Sequence, residues 1–256
     1  MSDWNPELYL KFEKDRNKPV ADLLSHVGLE SVGRAIDIGC GPGNSTRFLA
    51  ERWPTAEIIG LDSSAAMLEA AEKNNPGIKW VQFDATGDLT PLGKFDLVFS
   101  NAALQWMPEQ ERVVPGWFEL LSPGGVLAVQ LPNNFASPLH QAMLAMAQSE
   151  KWRGRIAEVR QIQYFSAGYY YDILAKLPGA FEMWTTTYQH VLDSHEDIVE
   201  WYKGTGFRPY LNQLDEQGQA GFLDDMLAEV RRLYTPRFDG KILFEFERLF
   251  FVAKRV

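Results

Sequence analysis

The chain has 256 residues, 46% hydrophobic and 23% charged, with Lys+Arg 25 against Asp+Glu 34 and a formal net charge of −9. That apolar content supports a sizeable core and excludes a mainly disordered chain, and the acidic balance leaves no basic surplus for tracking a nucleic-acid backbone. The single cysteine, Cys40, excludes an internal disulfide and a cysteine-rich metal site, and no apolar run reaches the roughly 18 residues of a membrane span.

The opening residues carry no basic stretch followed by an apolar one, so a soluble cytoplasmic protein is expected. The run at 34–38 is short, apolar and stopped by glycines, which predicts a buried strand. Asn44, Ser45 and Thr46 then offer capping groups for a helix start. Residues 57–62 read as a second strand, and Ser63-Ser64 as the cap of a helix with Met67, Leu68 and Ala71 on one face. A third strand is predicted over 78–83 and a fourth over 95–100. The stretch 109–121 reads as a helix that Pro115 should kink or delay. A turn at Pro123-Gly124-Gly125 leads into a fifth strand over 125–131.

This alternation predicts an α/β fold with a mostly parallel sheet and helices on both faces. Ligands of such sheets bind beyond the carboxyl ends of the strands, which here carry residues 39–43, Asp62, Asp84, Asn101 and Gln130. After Leu131 the rhythm changes. Residues 133–178 are rich in Met, Trp and Tyr, 181–190 reads as a strand, 194–234 as helices broken at 203–206, and 242–252 as a last strand. The expected organisation is one domain over 1–256. It comprises a covering segment at 1–30, a cofactor-binding core at 34–131, and a helical lid made of insertions 133–178 and 194–240.

The most specific feature is Asp37-Ile38-Gly39-Cys40-Gly41-Pro42-Gly43-Asn44. A dinucleotide fingerprint, G-x-G-x-x-G, would place its third glycine where Asn44 stands, which disfavours a pyrophosphate cradle. The glycines still permit a tight strand-to-helix turn and close approach of a ligand to the backbone. Asp62 ends the next strand at about the 20-residue spacing of a ribose-binding acid. Cys40 has no basic neighbour to activate it and reads as a small buried residue.

The D-x-G-x-G-x-G loop followed by that acid resembles motif I of class I S-adenosylmethionine-dependent methyltransferases. The resemblance implies a Rossmann-like fold with S-adenosyl-L-methionine as cofactor. It puts Gly39, Gly41 and Gly43 around the methionine part and Asp37 on its ammonium group. Asp62 would hold the ribose, Ser63 or Met67 would flank the adenine, and Asp84, with Ala85 beside it, would accept from the adenine amine. Asn101 would close the pocket near the sulfonium.

Further stretches are Asp3-Trp4-Asn5-Pro6, Leu8-Tyr9-Leu10, Asn101-Ala102, Leu104-Gln105-Trp106, Gly125-Val126-Leu127-Ala128-Val129-Gln130, Tyr170-Tyr171-Asp172-Ile173-Leu174, Trp184 with Thr186-Thr187-Tyr188, and Thr205-Gly206-Phe207-Arg208-Pro209. With them the chain resembles the family of bacterial small-molecule carboxyl methyltransferases that act on trans-aconitate. The resemblance implies a tricarboxylate substrate, no catalytic side chain and in-line displacement, because a carboxylate is already ionised at pH 7.

Arginine is the best bidentate partner for a carboxylate. Arg208, among Trp201, Tyr202, Phe207 and Tyr210, reads either as a substrate clamp or as a helix-terminal surface charge. Tyr9, Tyr170, Tyr171, Gln105 and Gln130 read as substrate-binding donors or as core and capping groups. Arg16 reads as a partner of the cofactor carboxylate or as a solvated helix charge. The four histidines show no metal spacing, and the short basic stretch around Arg153 is too isolated to suggest RNA binding. Other small-molecule acceptors, and a nucleotide-binding sensor or nicotinamide-dependent oxidoreductase, stand as alternatives. The expected assembly is a monomer or homodimer.

Overall fold

The structure, a computed structural model, describes residues 13–157, 165–204 and 206–256, without the side chains of 13, 14 and 16. The chain forms two compact units. The first comprises Arg16–Pro132, Ile162–Thr186 and Arg248–Val256, and the second Met1–Asp15, Asn133–Gln161 and Thr187–Glu247.

The first unit is built on β1 (Arg34–Ile38), β2 (Glu57–Asp62), β3 (Lys79–Gln82), β4 (Phe95–Asn101) and β5 (Leu121–Pro132). With β6 (Gly179–Leu192) and β7 (Ile242–Arg255) they make a seven-stranded sheet in the order β3-β2-β1-β4-β5-β7-β6. Strands β1 to β5 pair in parallel, and β7 runs antiparallel to β5. The helices alternating with them are α1 (Glu13–Ser25), α2 (Asn44–Arg52), α3 (Ala65–Asn74) and α4 (Gln110–Glu119).

Register decides which side chains share a face. Asp37 is level with Phe99, Asn101 with Gln130, Gln130 with Phe250, and Pro132 with Arg248. Because side chains alternate along a strand, one face presents Asp37, Phe99, Asn101, Gln130, Phe250 and Arg248. The other presents Ile36, Ile38, Val98, Leu127, Val129, Leu131, Leu249 and Phe251, which pack with Trp117, Phe118 and Tyr170 as this unit's core.

Three sequence expectations shift here. Pro115 does not delay α4, which already starts at Gln110 and runs through the proline with Val113, Val114, Trp117 and Phe118 on the same turns buried. Strand β5 starts four residues early, since Leu121 pairs with Phe95 before a register shift. The insertion expected over 133–178 is divided. Helix α6 (Ala167–Leu174), which follows α5 (Pro138–Gln148) in the chain, sends Tyr170, Ile173 and Leu174 into the first unit's core.

The second unit packs α5, α7 (His195–Lys203), α8 (Arg208–Leu211) and α9 (Glu216–Leu233) around Trp152, Trp201, Phe207, Phe222 and Phe244. Helix α7 opens with a capping box: Ser194 Oγ accepts from Asp197 N at 3.2 Å, and Asp197 Oδ2 accepts from Ser194 N at 3.1 Å. Among the described residues no helix is long and apolar enough to cross a membrane, and no three metal-ligating side chains come together.

Candidate active site

The turn from β1 into α2 needs left-handed backbone at three places: φ is +73° at Gly39, +54° at Gly41 and +86° at Gly43. A Cβ on Gly39 would sit 2.2 Å from Ala103 Cβ, and one on Gly43 2.7 Å from Asn75 Nδ2 and 2.9 Å from the Trp80 ring. Gly41 differs, because no atom of the described residues lies within 4 Å of its would-be Cβ. Its lack of a side chain therefore leaves open space above the turn, the room a ligand needs to reach the backbone. The turn is tied to β2 by Gly39 N and Cys40 N, which both donate to Leu61 O at 2.7 and 3.0 Å.

Asp37 is fully buried beneath this turn. Its Oδ2 accepts from Ser45 Oγ and Thr46 Oγ1, both at 2.7 Å, and its Oδ1 has no hydrogen-bond partner among the described residues. Burial raises its carboxyl to about 6, against the two hydroxyl bonds, which lower it. The expected capping by Asn44, Ser45 and Thr46 does not form. Gly43 is the N-cap of α2, and the hydroxyls turn to the buried carboxylate, the stronger acceptor.

Asp62 holds the turn from the other side. Its Oδ2 accepts from Gly41 N and its Oδ1 from Ser64 N, both at 2.9 Å, leaving each oxygen a further lone pair. Beyond it, Ser63 is exposed, and Ser64 caps α3 by accepting from Met67 N. Phe83 N donates to Asp62 O at 3.1 Å, which brings the ends of β2 and β3 together. Asp84 is exposed there, its Oδ1 accepting from Thr86 N and Oγ1. Ala85 is buried, and its carbonyl accepts from Trp117 Nε1 at 3.1 Å.

Past β4 the backbone is strained, with φ +55° at Ala102, whose N donates to Gln130 O at 2.9 Å. Gln105 is buried, donates through Nε2 to Ala102 O at 2.6 Å, and has an unpartnered Oε1. Asn101 Oδ1 and Gln130 Nε2 are likewise buried without partners among the described residues, and Gln130 Oε1 accepts from Arg248 Nη1 at 3.4 Å. The sequence reading did not single out Arg248; it stands in the alternating run of β7, and only the pairing with β5 brings it beside Gln130.

Other expected substrate residues are placed elsewhere. Tyr170 is a core residue whose hydroxyl donates to Gln110 Oε1 at 2.6 Å, so the fold itself consumes the donor proposed for a substrate. Tyr171 is 56% exposed and meets Phe181 edge-on. The aromatic nest expected around Arg208 does not enclose it. Trp201, Tyr202, Phe207 and Tyr210 are buried in the second unit's core, which leaves Trp201 no open face and Arg208 exposed. Tyr9 and the Arg16 side chain lie outside the described residues. Cys40 is buried, and burial beside Asp37 and Asp62 pushes its thiol pKa far up, so it is no nucleophile.

These features suit a ligand with a cationic end and a diol. Asp37 offers an unpaired buried oxygen to the cation, Asp62 offers lone pairs to the hydroxyls, and Gly41 leaves the space. A family profile described as methyltransferase domain matches residues 35–125. Among solved structures, the YcgJ protein of Bacillus subtilis is similar, with TM-score 0.60 at 15% identity, covering 92% of this chain and 97% of that one. So is the Haemonchus contortus phosphoethanolamine N-methyltransferase 2 in complex with S-adenosyl-L-methionine, with TM-score 0.55 at 17% identity, covering 93% of this chain and 52% of that one. Fold and loop together define a class I methyltransferase.

Full-length relatives narrow this further. The chain is 44% identical to the trans-aconitate 2-methyltransferase of Methylobacterium radiotolerans, over 100% of this chain and 99% of that one. It is 43% identical to that of Azoarcus sp., over 100% of both. The chain belongs to the trans-aconitate 2-methyltransferase family.

Proposed function

We propose that this chain methylates a carboxylate of trans-aconitate, with S-adenosyl-L-methionine as cofactor, giving a monomethyl ester. The observation that carries the reading is the end-to-end identity of 43–44% with relatives of that name, which extends well beyond the glycine loop shared across the superfamily. When bound, the cofactor supplies an electrophilic methyl group on a sulfonium. Asp37 would hold its ammonium group, Asp62 the ribose hydroxyls, and Ser63, Met67, Asp84 and Ala85 the adenine side. Asn101, Gln105 and Gln130 end the same face of the sheet as Asp37 or follow it, and offer polar atoms where the acceptor must lie.

The acceptor is anionic at neutral pH, so no side chain need remove a proton. The work of the protein is then to position two ligands and exclude water between them. Incubation with trans-aconitate and methyl-labelled cofactor should give a base-labile product that returns its label as methanol. A base-stable product would mark an ether or amine and overturn the carboxyl assignment.

Two further outcomes follow. General-base catalysis is worth about 10²–10⁴-fold, so replacing His26, His140 or His195 singly should leave turnover within about fivefold of the parent. A hundredfold loss in a folded variant would reveal a base. The second concerns Asp37, which must be ionised to hold an ammonium group and which burial raises to about 6. Binding of S-adenosylhomocysteine should be full above that pH and weaken as pH falls through it, by up to about tenfold per unit. Calorimetry across pH 5–8 should show this slope, and Asp37→Asn should flatten it.

A further inference from the structure

We propose that Arg248 and Gln130 together grip a carboxylate of the acceptor, an assignment that rests on the carboxyl methylation proposed above. The register of β4, β5 and β7 sets Asn101 beside Gln130, and Arg248 diagonally across from Gln130, on the face that also carries Asp37. Along this row the partnerless buried atoms of β1 and β4, Asp37 Oδ1 and Asn101 Oδ1, are acceptors, with Gln105 Oε1 a third acceptor past β4 and Asn44 Nδ2 a donor past β1. On β5 the partnerless atom is a donor, Gln130 Nε2. Gln130 turns its oxygen to Arg248 Nη1 and its buried amino group away, and the guanidinium carries the positive charge.

Strands lie about 5 Å apart, so β7 stands about 15 Å from β1, a span that separates the two kinds of group while keeping both on one surface. Such a row suits a cation at one end and an anion at the other. Arg248 is 8% exposed, and a guanidinium stays ionised in such low-dielectric surroundings, where its pull on an anion is strongest. On the same face Phe250 stacks on Trp184 at 5.0 Å and 7°, an apolar wall beside the donors. The exposed Arg208 has neither the burial nor such a neighbourhood. Arg248 is thus a binding residue for the acceptor and takes no part in holding the cofactor.

The test uses the full chain loaded with S-adenosylhomocysteine and titrated calorimetrically with trans-aconitate. Arg248→Gln should raise the Kd and the KM for trans-aconitate about thirtyfold or more, with the Kd for S-adenosylhomocysteine within twofold of the parent. Amides of the acceptor, each lacking one carboxylate charge, give a second readout. For the amide at the gripped position the parent should lose as much affinity as the variant has lost already, whereas a merely structural role would weaken every acceptor alike.

Arg248→Lys and Gln130→Met serve if Arg248→Gln fails to fold, and either should cost at least tenfold in acceptor affinity with cofactor affinity kept. A folded variant that costs less than tenfold, or that weakens both ligands equally, overturns the assignment. A parent protein that turns over trans-aconitate while the variants keep its KM sinks only this assignment. A parent that neither binds nor methylates trans-aconitate sinks the carboxyl reading and this one with it.

Discussion

Asp62→Ala should raise the Kd for S-adenosylhomocysteine about a hundredfold, since hydrogen bonds to a charged group contribute about 1.5–3 kcal/mol each. The carboxylate does two jobs at once. It accepts from Gly41 N and Ser64 N, which fixes the glycine turn against the start of α3, and it keeps lone pairs for a ribose diol. Removing it leaves two backbone donors without their acceptor and takes away the diol's partner. Asp62→Asn retains one acceptor oxygen and should fall between parent and alanine variant. Calorimetry beside a thermal melt separates the binding loss from the folding loss. An alanine variant that folds and binds within threefold of the parent would remove Asp62 from the cofactor site.

The glycines of the turn should respond in opposite ways to one added methyl group. Gly39→Ala drives a Cβ to 2.2 Å from Ala103 Cβ at a φ of +73°, with backbone on both sides tied down. Overpacking and strain together should cost about 3 kcal/mol of stability. Among the described residues Gly41→Ala meets no atom within 4 Å, which leaves the left-handed backbone, worth about 1 kcal/mol, to oppose it. Its methyl group instead fills the space above the turn, and cofactor affinity should fall at least about tenfold with the melting temperature nearly kept. Equal melting temperatures for the two variants would contradict this division of labour.

Much of the first unit was legible in the sequence because its signals are local. Short apolar runs, the first stopped by glycines and the second and third followed by Asp62 and Asp84, foretold β1 to β5 and the turn at 39–43. What escaped depends on partners distant in the chain. Ser45 and Thr46 carry capping chemistry, and only the burial of Asp37 beside them redirects it. Tyr170 reads as an available donor until α6 docks and Gln110 Oε1 accepts its hydrogen bond. The aromatic residues flanking Arg208 suggested a nest, yet each found a better place in an apolar core and left the arginine outside. Arg248 carries no local signal of its own. A shift of one residue in the β5–β7 register would turn it to the opposite face.

The same strand pair bears on how the chain reaches its native form. Val126 pairs across to Lys254, so β5 must wait until the chain has been made as far as Lys254 before its outer edge is covered. Contacts so remote in sequence carry a large loop-closure cost and slow the search for the native state. During synthesis the four strands preceding β5, together with β5 itself, can assemble first and present an uncovered row of amides and carbonyls. Nascent chains stalled before residue 248 should therefore be prone to intermolecular strand pairing, a hazard that the pairing of residues 248–254 with β5 removes.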